Sequence, residues 1–268
     1  MLFDSHCHFT DEAFDGCRDE LAEIIRQAQM RIVDIGTDLK TSKACAAAAE
    51  KYDFCYAAVG YHPSEVEGLT DEVLNECLEL YKLPKVVAIG EIGLDYHYDD
   101  GPDRGLQQLW FRKQLRQAAR LGAPVCIHTR DADADTMQIL KEEIFEHKTP
   151  PADRQVRPRV LMHCFSGSAE MARQYVKLGA KISIAGPVTY KNARRNVEVV
   201  ECIDLKDLLI ETDSPYLAPV PMRGKTNTPP YVRYVAEKIA EIKGISPKEV
   251  EEATFRNACD FYGIGEVL

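Results

Sequence analysis

The sequence predicts an α/β fold, a (β/α)8 TIM barrel in which one closed parallel sheet is ringed by helices. Three observations predict it. Eight short apolar runs alternate with longer amphipathic stretches. The alternation fills 268 residues, an ordinary length for one such barrel, so residues 1–268 are expected to form a single domain. Histidines and carboxylates recur where the apolar runs end, and they converge on one mouth only if the sheet closes. An open doubly wound sheet is the competing arrangement, and it would spread those side chains along an edge.

The elements follow in order. Leu2–His6 is the first strand and Arg18–Gln29 the first helical pattern. Arg31–Gly36 pairs with a helix at Lys40–Lys51, Phe54–Val59 with Asp71–Tyr81, and Val86–Glu91 with Asp103–Leu121. Pro124–His128 precedes Asp133–Glu146, Arg159–His163 precedes Ala169–Leu178, and Lys181–Ile184 precedes Asn192–Cys202. Asp207–Ile210 is the eighth strand, followed by helical patterns at Tyr231–Lys243 and Pro247–Phe261. Asp99–Arg104 reads as a polar turn, and the Pro-rich, charged stretch Thr149–Pro158 as a surface insertion before the sixth strand. Trp110 and Phe111 fall within the long fourth helical pattern and are expected in the core.

Composition narrows the function. Apolar residues make up 45% and charged residues 28%, a globular mix. A chain of this length buries roughly 75% of its unfolded surface and needs no disulfide staples. The balance of 33 basic against 43 acidic residues gives a net charge of −10, which argues against a surface built to grip long duplex DNA. It leaves room for a short basic pocket around a strand end. Nine cysteines without a CxxC spacing read as reduced, mostly buried thiols of a cytoplasmic protein. Asp4, His6 and His8 rule out a signal h-region at the start, no secretory leader is expected, and no apolar run is long enough to span a membrane.

The chemistry lies at the strand ends. His6 and His8, two apart, place both rings on one face of the first strand. Cys7 points the other way and is expected to pack. Asp4 would share the histidine face one layer deeper, either orienting a histidine or hydrogen-bonding within the barrel. Glu91 follows Val87-Ala88-Ile89-Gly90 and is costly to bury unpaired, so a cation or a salt bridge must satisfy it. Asp95 lies just beyond, as a helper or a turn residue. His128 ends the fifth strand, His163 the sixth, and Asp213 follows the eighth. Four imidazoles and two carboxylates suffice for two divalent ions bridged by Glu91, and zinc, manganese and magnesium all accept this nitrogen and oxygen set. Two such ions lower the pKa of a water toward ~7 and hold the resulting nucleophile, while Asp213 can accept its proton. The reaction class is metal-assisted hydrolysis of a phosphodiester, lactone, amide or ester.

Six motifs now resemble one family. Asp4-Ser5-His6-Cys7-His8, Gly60-Tyr61-His62-Pro63, Gly90-Glu91-Ile92-Gly93-Leu94-Asp95-Tyr96, Ile127-His128-Thr129-Arg130-Asp131-Ala132, His163-Cys164-Phe165-Ser166-Gly167 and Glu211-Thr212-Asp213-Ser214-Pro215-Tyr216-Leu217-Ala218-Pro219 are similar, in order and across the whole chain, to the TatD family of metal-dependent hydrolases. The resemblance implies an amidohydrolase-like barrel with two metal ions. It implies a deoxyribonuclease, typically a 3′–5′ exonuclease on single-stranded DNA or RNA, with links to DNA repair. It assigns His6, His8, Glu91 and Asp213 to one ion and Glu91, His128 and His163 to the other, and it gives His62 the substrate phosphate. Departures are modest: Tyr61, Ser64, Ile203-Asp204 and the Thr149–Arg157 insertion bear on substrate preference, and none removes a ligand.

Basic residues suit a phosphate substrate. Arg130 and Arg223 are expected to bind it at the mouth, whereas Arg194, Arg195 and Lys225 read more simply as solvated charge. Tyr98, Phe165 and Tyr190 are candidates for stacking a base or for plain packing. The expected partner is the end of a nucleic acid single strand, engaged by a monomer away from membranes. Two rival readings stand beside it. One is a hydrolase of small esters, lactones or amides on the same centre, which would need neither His62 nor the arginines. The other is a binding protein with residual activity, which would need no open two-metal site.

Overall fold

The structure, a computed structural model, describes residues 1–146 and 158–265. Eight parallel strands pair in chain order: β1 (Phe3–Cys7), β2 (Arg31–Ile35), β3 (Cys55–Val59), β4 (Val86–Asp95), β5 (Val125–Arg130), β6 (Val160–Met162), β7 (Lys181–Ile184) and β8 (Leu208–Ile210). The expected barrel is therefore present. Helices α1 (Arg18–Gln27), α2 (Leu39–Lys51), α3 (Asp71–Glu79), α4 (Arg104–Leu121), α5 (Asp133–Leu140), α6 (Ala169–Lys177), α7 (Arg194–Cys202) and α8 (Val232–Lys243) alternate with the strands, and α9 (Pro247–Tyr262) follows. Their ends obey local chemistry. Asp38 with Thr41 and Ser246 with Glu249 form capping boxes, and Gly122, Gly244 and Gly263 end α4, α8 and α9 in the left-handed conformation.

The core has two parts. The larger lies between strands and helices and includes Trp110 and Phe111, as expected. The second fills the barrel, with Phe3, Val33, Ala58, Ala88, Cys126, Leu161 and Leu209 from seven of the strands. Phe255 and Tyr262 of α9 plug it from the N-terminal end of the strands, and the Tyr262 hydroxyl donates to the Ser5 carbonyl at 2.7 Å.

The seam between β8 and β1 is made differently from the other strand pairs. Asp213 N–H donates to His6 O at 3.0 Å and His8 N–H to Ser214 O at 2.7 Å. Below them the buried Asp4 carboxylate accepts the Thr212 N–H at 2.9 Å, the Thr212 hydroxyl, and the His6 N–H at 3.3 Å.

Two irregularities position the mouth. Between Asp4 and Cys7 three residue steps of β1 oppose two of β2, and between Ile89 and Ile92 three steps of β4 oppose two of β5. Each is a one-residue bulge, which shifts the phase of the side chains beyond it. The first overturns the expectation that Asp4 shares the histidine face: Asp4 bonds Thr212 across the seam, and of His6 it touches the backbone rather than the ring. The strands also run further than their apolar cores suggest, β4 to Asp95 and β5 to Arg130. Helix α5 stops at Leu140 and continues as a π turn, Lys141–Phe145, rather than as regular helix to Glu146. The stretch expected as a surface insertion, 149–157, lies outside the described residues. Among the described residues no helix is long and apolar enough to cross a membrane.

Candidate metal centre

All six residues expected as metal ligands meet at the C-terminal mouth of the barrel. Glu91 is the hub, and its bulge turns a buried carboxylate into the opening. Glycine is required on both sides of it. A Cβ on Gly90 would sit 2.7 Å from Cys126 Cβ, and one on Gly93, at φ +151°, would sit 1.9 Å from the His128 carbonyl oxygen. The two carboxylate oxygens face different partners. Oε1 lies 2.8 Å from His128 Nδ1 and 2.7 Å from His163 Nε2, and those two nitrogens are 3.3 Å apart. Oε2 lies 3.5 Å from His6 Nε2 and 3.9 Å from His8 Nε2. Asp213 Oδ1 closes the second group, 3.7 Å from His6 Nε2 and 3.5 Å from His8 Nε2. The His6 and His163 rings stack at 3.9 Å and join the two halves.

A second layer holds the rings. His8 Nδ1 is 3.0 Å from the Ile35 carbonyl, His128 Nε2 is 3.1 Å from Asp95 Oδ2, and His163 Nδ1 is 3.2 Å from Glu211 Oε1. Such partners fix which nitrogen of each ring faces the centre. Asp95 is thus both a helper and a turn residue: its other oxygen, Oδ1, accepts the His97 N–H at 2.9 Å. Glu211 went unassigned by sequence reasoning, although a carboxylate directly after Leu208-Leu209-Ile210 carries the same burial argument as Glu91.

The electrostatics fit a cation. Burial alone would raise the Glu91 carboxyl, but the His163 charge and the hydrogen bonds from His128 and His163 outweigh it and hold it well below the usual carboxylate range. Burial likewise opposes ionisation of Asp213, and the His8 hydrogen bond overcomes it. Burial disfavours a charge on His8, yet Asp213 and Glu91 lift it to about 9. His6 is different: burial and the neighbouring His163 push it down, and neither of its fully buried nitrogens has a hydrogen-bond partner. A buried polar atom left unsatisfied costs about 1–3 kcal/mol. A neutral imidazole with a free lone pair, beside two ionised carboxylates, is what a divalent cation requires. The residues present therefore fit a metal ion. Among the described residues three groups have converging donors: His6, Glu91 and His163; His6, His8 and Asp213; and His62, Glu91 and His128.

The other expected site residues divide. His62 stands over the centre, its Nε2 3.8 Å from Glu91 Oε1 and its ring edge-on to His128 at 4.5 Å. Burial drives it to about 3, so it is a neutral imidazole. Its Nδ1 is 2.7 Å from the Ser64 hydroxyl. Arg130 lines the same cavity of about 1000 Å³. Arg223 does not line it, and instead lies over the Tyr190 ring at 4.2 Å. Phe165 is buried and so is unavailable for stacking, and Tyr190 is half-buried, with Arg223 over its ring and its hydroxyl on the Ala218 carbonyl. Cys7 packs outward against the Val33 carbonyl, as expected. Arg194 pairs with Glu198 on the surface at 2.8 Å. Sequence reasoning passed over Tyr216, which lines the cavity beside His8.

Comparison with known proteins agrees with this geometry. The model of a family described as TatD related DNase matches residues 3–263. The chain is 45% identical over 262 residues to the uncharacterized metal-dependent hydrolase YabD of Bacillus subtilis, covering 96% of this chain and 97% of that one. It is 33% identical to the uncharacterized metal-dependent hydrolase TatD of Mycobacterium tuberculosis, covering 98% of each. Among solved structures, the TatD homolog YJJV of Escherichia coli K12 superposes with a TM-score of 0.88 at 31% identity, covering 98% of both chains. An organophosphorus hydrolase from Deinococcus radiodurans shares the fold alone, with a TM-score of 0.61 at 13% identity and coverage of 98% of this chain and 93% of that one. A full set of converging nitrogen and oxygen donors, on a barrel matched from end to end, places this chain in the TatD family of metal-dependent hydrolases.

Proposed function

We propose that the enzyme is a nuclease that hydrolyses phosphodiesters at the end of single-stranded DNA, in the 3′ to 5′ direction, with RNA as a second substrate. The observation that carries this reading is the pairing of the metal centre with a phosphate-sized recognition set. The neutral His62 and the cationic Arg130 face the same cavity as Glu91 and Asp213. A guanidinium binds phosphate oxygens in a two-pronged geometry, and a neutral imidazole N–H adds a donor without a further charge.

Glu91 presents one oxygen to each histidine group, so the site fits two divalent ions: His6, His8, Glu91 and Asp213 would hold one, and Glu91, His128 and His163 the other. Bound there, the ions supply Lewis-acid polarisation of the phosphoryl oxygen and a water acidified toward ~7. The chain does the rest. Asp95 and Glu211 keep the lone pairs of His128 and His163 aimed inward. Asp213, held ionised, accepts the proton of the attacking water as the new P–O bond forms. It returns that proton to the departing ester oxygen as the old P–O bond breaks. Arg130 and His62 hold the phosphate in line.

The test uses metal-stripped protein with 3′-labelled and 5′-labelled single-stranded oligonucleotides, adding magnesium, manganese or zinc in turn, with Glu91→Ala as control. A ladder that depends on metal and on Glu91 supports the proposal, and the label that shortens first gives the direction. A second reading is hydrolysis of a small ester, lactone or amide. Asp11, Glu12, Asp15 and Glu65 line the β1–β3 side of the cavity, and such a wall repels a long polyanion. Protein that binds two ions, leaves oligonucleotides intact and turns over an ester or lactone panel would establish that reading instead.

A further inference from the structure

Two exposed tyrosines stand on opposite walls of the cavity. Tyr98 follows β4 and Tyr216 follows β8, and in an eight-stranded barrel paired in chain order those strands are diametrically opposed. Both rings are unusually open for aromatics, at 59% and 55% exposure. Both are nevertheless held in place. The Arg130 guanidinium lies over Tyr98 at 5.1 Å and donates to its hydroxyl at 3.2 Å. The Tyr216 ring meets His8 edge-on at 6.1 Å, its hydroxyl donates to Asp11 Oδ2 at 3.3 Å, and its carbonyl accepts from Asn227 Nδ2 at 2.6 Å.

We infer that Tyr98 and Tyr216 are stacking platforms for the two nucleobases that flank the scissile phosphate. An exposed aromatic face stacks any base, and a ring already fixed loses little freedom when the base arrives. The charges beside the rings set the polarity. Arg130 at Tyr98 suits a nucleotide whose chain continues into further phosphates. Asp11 at Tyr216 suits the terminal nucleoside, which has no phosphate beyond it. The strand therefore lies across the mouth from Tyr98 to Tyr216, with its scissile phosphate over the metal ligands between them. This assignment rests on the nuclease reading of the site and adds which residues grip which base.

The test is equilibrium binding, read by fluorescence anisotropy, of a fluorescein-labelled single-stranded tetranucleotide with phosphorothioate linkages, in the presence of magnesium. The same strand is made without its terminal base, or without the next base in. In the wild-type protein each missing base is expected to weaken binding about 5- to 150-fold, the range for one base on one aromatic ring. Tyr216→Ala should abolish the penalty for the terminal base alone, and Tyr98→Ala that for the inner base alone. Tyr98→Phe and Tyr216→Phe should retain both penalties. Leucine variants, which keep the bulk but lack the aromatic face, replace any alanine variant that does not fold, and should behave as alanine. Penalties that persist unchanged in the variants, or failure of the intact strand to bind, would overturn the assignment. Binding that shows the expected tyrosine dependence, with no cleavage of the ordinary phosphodiester strand, would refute the nuclease reading and leave the platforms standing.

Discussion

Asp4 offers the sharpest test of how the barrel holds its metal centre together. Its carboxylate bridges β1 and β8, the seam that carries His6, His8 and Asp213. Asp4→Ala would strand at least two buried N–H donors, those of Thr212 and His6. At about 1–3 kcal/mol for each unsatisfied donor, the loss is about 2–6 kcal/mol. For a chain of this size that corresponds to a melting temperature lower by about 5–20 °C. Asp4→Asn keeps an acceptor for both N–H groups, and its amide can donate to the Thr212 oxygen, so its cost should stay below ~1.5 kcal/mol. Circular dichroism melts of metal-free protein would measure both variants. Titration with zinc or manganese would then show weaker binding in the alanine variant, because the seam sets the spacing of His6, His8 and Asp213. An alanine variant that melts within about 2 °C of wild type would refute the reasoning, since it would mean that the backbone bonds alone close the barrel.

Three further outcomes follow from the same structure. Gly93→Ala should cost at least ~3 kcal/mol in urea unfolding, because its Cβ would overlap the His128 carbonyl at 1.9 Å in a backbone conformation at φ +151°. Glu211→Ala should weaken metal binding about 10- to 100-fold by chelator competition, through loss of the partner that orients His163. Burial pushes the Cys77 thiol up to about 11 and Cys126 up to about 12, so at pH 8 both remain protonated and unreactive, and they gain thiolate only as the pH climbs toward those values. Only Cys17 is exposed, Cys164 and Cys202 are half-buried, and the other six thiols are buried. A disulfide reagent at pH 8 should thus titrate one thiol fast and at most two more slowly, with the rest appearing in guanidinium; four fast thiols would contradict the burial pattern.

The strand order, the eight-fold alternation and the six side chains that converge at the mouth were all legible in the sequence. Apolar runs of strand length set against amphipathic helical periods leave few alternatives, and a polar residue at the end of an apolar run must find a partner. What the sequence left open depends on contacts between distant segments. Period two alone puts Asp4 on the wrong face, because a bulge interrupts it and a bulge is defined by the strand alongside. Glu211, buried at a strand end like Glu91, meets the Nδ1 side of His163 while Glu91 meets Nε2, a distinction set by place in the fold rather than by residue type. Phe165 and Tyr216 are both aromatic residues of motif loops, yet one is buried against Tyr175 and the other stands open at the mouth. By itself the sequence determined the barrel and the set of side chains at its mouth, because hydrophobic periodicity and the cost of burying charge are local properties. Only the tertiary structure decided which of those side chains face the centre, which steady them and which remain open to a substrate, because orientation is settled where strands from opposite ends of the chain meet.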